Sequence, residues 1–323
     1  MPFDVITIGD IKLDTFVMLD DASVSCQLKM PECQICLEYG AKITVNVVDS
    51  QIAGSAPNVA VGLARMKLKT AVMCNMGTDG THHLANTKLK AENVSTKFIR
   101  TMKNIPSAYS VVLMFKGERT VLASHPQRMY TFPKPFPKTK WIYVGEMGAT
   151  YEKMFRELVS HLKKTSTQLA FNPGTIQIAD RKKELFDLIA RTTVLFVNLQ
   201  EAQAITGETS SEIHHLATAL WKLKPQYVVI TDGKNGSYSF DGHTLLHCPI
   251  FPGKVVGTIG ARDAFATGFI AAIIKNSKTH PLVWGAINST GVVGKIGPQD
   301  GLMSDTHILK HVRTHKSFGP KKM

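Results

Sequence analysis

No apolar run in the 323-residue chain reaches the ~18 residues that span a bilayer. The longest, Ala264 to Ile274, is broken by Thr267 and Gly268 and reads as a buried helix. The N-terminus lacks a basic stretch followed by an apolar one, so a signal peptide is not expected. Cysteines number five, an odd count that does not suggest a disulfide framework. Cys26, Cys33 and Cys36 cluster and end in C-x-x-C, but no fourth ligand stands nearby for zinc, and ordinary thiols are the simpler reading. Acidic residues are also sparse: 25 Asp and Glu face 38 Lys and Arg, a net charge of +13. The cations are scattered except for Lys316 to Lys322. No RNA-binding aromatic motif and no zinc-finger spacing is present, which argues against a nucleic-acid partner. A basic chain also suits a phosphate-rich substrate. A cytoplasmic protein with no membrane partner is expected.

What is present is a globular composition, 44% hydrophobic and 20% charged, of a length suited to one large α/β domain. The first half offers strands at Asp4 to Ile8, Thr70 to Met76 and Ala108 to Phe115. A turn at Lys116-Gly117-Glu118 leads into Arg119 to Ser124. A helix covers Pro57 to Met66, with Pro57 in a first turn that has no use for its missing N–H. From Trp141 strands and helices alternate. Strands fall at Trp141 to Val144, Gln168 to Phe171, Val194 to Val197 and Tyr227 to Thr231. Helices fall at Tyr151 to Lys163, Lys182 to Ala190, Glu201 to Thr206 and Ser211 to Leu223. A hairpin around Asp241-Gly242 and helices at Ala261 to Lys275, Leu282 to Lys295 and Asp305 to His315 complete the chain. The last carries His307, His311 and His315 on one face, read as solvated. Such alternation predicts a parallel sheet covered on both faces. Ligands then bind beyond the carboxyl ends of the strands, where Gly9-Asp10, Asn172, Asn198 and Thr231-Asp232-Gly233 lie.

The richest segment is Gly257 to Gly268, GTIGARDAFATG. Small residues lead into an apolar helix, whose unpaired N–H groups and dipole attract anions. Asp263 in the first turn either accepts a proton in phosphoryl transfer or merely complements the dipole.

This segment resembles the second signature of the ribokinase and phosphofructokinase-B (PfkB) family of sugar and nucleoside kinases, D-T-x-G-A-G-D-x-F-x-x-G. Thr258, Gly260, Ala261, Asp263, Phe265 and Gly268 match; Gly257 and Arg262 depart. Four further stretches agree in order. Ala53 to Ala60 resembles G-G-x-x-x-N-x-A, Gly9 to Asp14 the first strand end, Asn198 to Glu201 the N-x-x-E motif, and Thr231 to Gly236 the T-x-G-x-x-G turn. The resemblance implies a ribokinase-like three-layer α/β/α domain over residues 1–315, with a mainly parallel central sheet. A small β lid would draw strands from 12–55 and 107–125, and residues 316–323 would form a basic tail. It implies Asp263 as general base with Gly260, Ala261 and Arg262 around the anion hole. Asp14, Gly54 and Asn58 would bind substrate, and Asn198, Thr231, Gly233, Gly236 and Asn288 the nucleotide, with Arg119 a weaker candidate near the substrate. Glu201 would orient magnesium. ATP, Mg2+, a sugar or nucleoside, in some relatives a monovalent cation, and a homodimer through the lid are the implied partners. Each residue has a local alternative: Asn198 caps a helix, Asn58 and Asn288 bond locally, and the glycines serve tight turns.

Two expectations pull against each other. One is ATP-dependent phosphoryl transfer. The other is a weak or inactive member that only binds, because Gly257 removes a carboxylate. Arg262 would in addition be strained if its position requires a glycine backbone.

Overall fold

The computed structural model describes residues 2–19, 23–25, 34–115 and 118–323. The chain opens with β1 (Phe3–Ile8), β2 (Lys12–Leu19) and a ribbon of β3 (Ser23–Ser25) and β4 (Gln34–Cys36). β5 (Val45–Ala53) then runs into α1 (Ser55–Arg65), followed by β6 (Thr70–Gly77), α2 (Gly80–Ala91), β7 (Ser95–Met102), β8 (Ala108–Phe115) and β9 (Glu118–Ser124). The alternating half comprises β10 (Thr139–Val144), α3 (Glu152–Leu162), β11 (Gln168–Phe171), α4 (Thr175–Asp180), α5 (Lys183–Ile189), β12 (Val194–Asn198), α6 (Leu199–Thr206), α7 (Ile213–Trp221) and β13 (Tyr227–Thr231). β14 (Ser237–Phe240), β15 (Leu245–Cys248), α8 (Ala261–Ile274), α9 (Pro281–Val293), α10 (Asp305–Thr314) and β16 (Lys321–Lys322) close it.

One 10-stranded sheet runs β16-β15-β14-β13-β12-β11-β10-β1-β6-β7. From β7 to β13 every pairing is parallel; β14, β15 and β16 are antiparallel additions. Successive strand residues face opposite sides of a sheet, and here both sides are apolar. Ile142, Val144, Leu195 and Val197 pack against α3, α5, α6 and α7. Their neighbours Trp141, Tyr143, Val194 and Phe196 pack against α1, α8 and α9. That double burial explains the continuous apolar runs and makes the three-layer α/β/α fold. No helix among the described residues is long and apolar enough to cross a membrane.

A second sheet, β5-β2-β8-β9, pairs β2 antiparallel to β5 and parallel to β8. It rises from the end of β1 and carries Asp14 on β2. The Lys116-Gly117 turn, Cys26 and Cys33 lie outside the described residues, and Cys36 ends β4, exposed.

Several segments differ from the sequence reading. α2, α4 and β7 were not anticipated. Lys321–Lys322, expected in a basic tail, instead pairs with the open edge of β15, where unsatisfied backbone groups invite another strand. The Phe318 ring sits edge-on to Phe251 at 5.0 Å and helps hold it there. Phe251 also receives His311 and His315 at 5.3 and 4.9 Å, so that histidine face is packed as well as wet.

Candidate active site

The strand ends of the parallel sheet bring together Asp10 after β1, Glu146 after β10, Asn172 after β11, Asn198 ending β12 and Thr231 ending β13. The start of α8 enters among them. Gly260 caps that helix with φ 77°, a left-handed turn that suits glycine. A Cβ there would also meet the Pro298 Cα at 2.6 Å.

Asp263 is 9% exposed and held by two donors. Ser55 Oγ donates to Oδ1 at 2.7 Å, and Asn58 Nδ2 donates to Oδ2 at 2.8 Å. Both donors lie in the first turns of α1, so α1 and α8 are locked through this carboxylate. Asn58 is anchored in turn: Gln299 Nε2 donates to its Oδ1 at 3.0 Å. Ser55 Oγ also meets the buried Tyr143 hydroxyl at 2.7 Å, to which Asn172 Nδ2 donates at 3.3 Å. Burial, with the Asp263 charge beside it, pushes the Tyr143 hydroxyl well above its ordinary range, so it stays protonated.

Two cavities meet at Gly260, Arg262 and Asp263. One, of about 570 Å³, is lined by Asn198, Thr231, Gly233, Lys234, Gly236, Lys254 and the α8 start. The other, of about 230 Å³, is lined by Lys12, Asp14, Gly54, Asn58, Glu146 and Asn172. Arg119 borders both. In the smaller cavity the Lys12 Nζ lies 3.6 Å from Glu146. Burial opposes the Lys12 charge, yet Glu146, Asp14 and Asp263 outweigh it and hold the ammonium above its ordinary range. Burial raises the Asp14 carboxyl, against the pull of Lys12, and its Oδ1 has no hydrogen-bond partner.

Arg262 is not strained. It lies inside α8 with helical backbone, because the left-handed residue of this turn is Gly260, two positions earlier. Its guanidinium forms an ion pair with Glu201. The other Glu201 oxygen accepts the Asn198 N–H at 3.0 Å, while Asn198 Oδ1 caps α6 by accepting the Glu201 N–H at 2.7 Å. The local reading of this motif as a capping box is therefore present in full, and both Glu201 oxygens are engaged.

The structure does not bring Asn288 to either cavity. It is fully buried in α9, where Nδ2 donates to the Ala264 carbonyl at 2.7 Å and Oδ1 accepts the Met303 N–H at 2.9 Å. Its neighbours Ala286, Ser289 and Thr290 line the large cavity instead. The Ala261 N–H turns to the Thr258 carbonyl at 3.3 Å. Ser55, Tyr143, Gln299, Glu146 and Lys254 were not singled out from sequence. Only Ser55, inside the Ala53 to Ala60 motif, carried any signal there.

Solved structures share this arrangement of layers. Arabidopsis thaliana ribokinase, complexed with ribose and ATP, superposes with TM-score 0.76 at 19% identity, covering 96% of this chain and 98% of that one. The nucleoside kinase of Methanocaldococcus jannaschii gives 0.73 at 18%, covering 97% and 99%. In sequence, 2-dehydro-3-deoxygluconokinase of Bacillus subtilis is 24% identical over 88% of this chain and 94% of its own. The family model described as pfkB family carbohydrate kinase matches residues 15–283, and this chain belongs to that family of kinases.

Proposed function

We propose that the chain transfers the terminal phosphoryl group of ATP to a hydroxyl of a sugar or nucleoside, with Asp263 as the proton acceptor. The observation that carries this reading is the position of Asp263. It stands where the 570 Å³ and 230 Å³ cavities meet, at a helix start, held by two donors. The larger cavity takes the nucleotide and the smaller the acceptor. At about 230 Å³ the latter is below the ~300–1,000 Å³ of pockets for drug-sized ligands, which favours a single sugar ring.

The acceptor hydroxyl forms a bond to the γ-phosphorus as the bond to the β–γ bridging oxygen breaks. Its proton passes to Asp263, and ADP leaves. The N–H groups of Gly260, Arg262 and Asp263, at the positive end of the α8 dipole, offset charge on the transferred group. Ser55 and Asn58 fix the carboxylate so that little reorganisation is needed. Asp14, with its unpaired oxygen, and Lys12 orient the acceptor.

Coupled assay of ADP release across pentoses, hexoses and nucleosides tests the reading. Turnover with at least one of them is expected, and Asp263→Asn should lower it by ~10²–10⁴-fold. Panel members that bind by calorimetry without ADP release would favour the binding-only alternative. Undiminished turnover in Asp263→Asn would remove Asp263 as base.

A further inference from the structure

We propose that Arg262, anchored by Glu201, is a built-in cation that lets the large cavity bind nucleoside triphosphate without a divalent metal. The inference rests on the reading of that cavity as the nucleotide site.

Glu201 and Asn198 do not fit a magnesium ion as they stand. One Glu201 oxygen is held by Arg262 and the other by the Asn198 N–H. The Asn198 amide oxygen is spent on the Glu201 N–H. A dication brought to this carboxylate would have to displace a guanidinium from it. Arg262 lines both cavities beside Asp263, at the junction where a transferred phosphoryl group would lie. Its guanidinium has planar, forked donors that suit phosphate oxygens. Burial opposes its charge, but Glu201 and Asp263 hold it, so it is a fixed cation.

A cation in the first turn of a helix works against the dipole. Glu201 offsets that conflict, leaving Arg262 beside the site without collapsing onto Asp263, whose oxygens Ser55 and Asn58 occupy. A second observation points the same way. Among the described residues, the lining of the large cavity includes Lys234, Lys254 and Arg262, and its one carboxylate is Asp263. With Arg262 paired to Glu201, Lys234 and Lys254 still outnumber Asp263, a balance that suits a triphosphate carrying its full negative charge.

Calorimetry of ATP binding in EDTA and in excess Mg2+ tests the inference on the whole chain. Metal-free ATP should bind within about threefold of the magnesium complex. Arg262→Gly should weaken metal-free binding at least tenfold, about 1.4 kcal/mol, and weaken the magnesium complex much less. Arg262→Lys, which keeps the charge, should retain metal-free binding within about threefold and guards against loss through misfolding. Glu201→Gln should loosen Arg262 and weaken metal-free binding by a few-fold. Unchanged metal-free affinity in Arg262→Gly would overturn the inference, as would a Glu201→Gln defect confined to the magnesium complex, which would mark Glu201 as a metal ligand. Either result leaves phosphoryl transfer intact. Failure of the unaltered chain to bind ATP with or without metal would instead sink the nucleotide reading, and this inference with it.

Discussion

Gln299 holds Asn58 from behind. Its Nε2 donates to Asn58 Oδ1 at 3.0 Å and to the Ile52 carbonyl at 2.9 Å, and Asn58 passes the constraint to Asp263 through its own amide at 2.8 Å. Gln299 is 1% exposed and lies outside both cavities, so it acts on the site only through Asn58. Gln299→Ala should therefore lower kcat by roughly tenfold while KM stays within about threefold. Its stability cost should be roughly 1–3 kcal/mol, because it leaves a buried acceptor on Asn58. Steady-state kinetics beside a denaturant melt separate the two effects. Loss confined to stability, with kcat intact in the folded fraction, would show that Asn58 needs no such support.

Asp14 presents an opposition between stability and binding. It is 4% exposed, its Oδ1 is unpaired, and burial raises its carboxyl above the ordinary range against the pull of Lys12. A carboxyl raised in the folded state favours folding only while protonated, and that contribution is lost as pH rises through the folded value. Asp14→Asn should hence raise Tm at neutral pH. The difference should vanish below the ordinary carboxylate value of ~3.9. The same change should raise KM for the acceptor about tenfold, because a charged acceptor for a substrate hydroxyl is lost. The KM of the unaltered chain should rise as pH falls through a value above that ordinary one, and Asp14→Asn should flatten the rise. An unchanged KM would remove Asp14 from the acceptor site.

The Arg65 fork predicts acid sensitivity of opposite sign. Its Nε and Nη2 donate to Glu92 at 2.9 and 2.6 Å, and its Nη1 donates to the carbonyls of Gln299 and Leu302 at 2.7 and 3.2 Å. The Arg65 hydrogen bonds hold the Glu92 carboxyl below its ordinary range, against burial. A depressed carboxyl contributes stability above its unfolded value and loses it as pH falls through the lower folded value. Glu92→Gln should cost roughly 1–2 kcal/mol at pH 7, discounted because the pair is partly solvated. Near pH 2 it should cost almost nothing. Melts at both pH values check it; an equal loss at both would assign the effect to packing.

What the sequence disclosed depended on how local each feature was. The α8 start, the strand-end residues and the apolar alternation of the second half are written in short windows, and they suffice for the fold and nominate Asp263. The partners that aim Asp263 are not local: Ser55 and Gln299 enter this network across separations of 208 and 241 residues. α2 and β7 escaped because their apolar signal is faint; α2 buries Ala85 and Leu89, and β7 has no fully buried residue. Sequence alone leaves open whether Arg262 is strained, because a signature glycine can serve either backbone freedom or side-chain space. The helical geometry shows that the missing glycine is a matter of side-chain space and charge, which Glu201 resolves.

Gly257 and Gly260, three residues apart, should respond oppositely to a methyl group. At Gly257 a Cβ would meet nothing nearer than the Lys295 carbonyl oxygen at 3.7 Å, an ordinary contact. An alanine there removes freedom from the unfolded chain, so Gly257→Ala should be neutral or stabilising by about 0.4–1 kcal/mol. At Gly260 the left-handed φ of 77° costs an L-residue roughly 1–2 kcal/mol. The Cβ would also lie 2.6 Å from the Pro298 Cα, which backbone must move to relieve. Pro298 adjoins Gln299, so the displacement reaches Asn58 and then Asp263. Gly260→Ala should therefore lose stability by at least 2 kcal/mol or so and lose kcat even in the folded fraction. Denaturant midpoints and kcat at saturating substrate check both variants. Equal midpoints for the two would mean that the turn into α8 does not have the geometry on which the site depends.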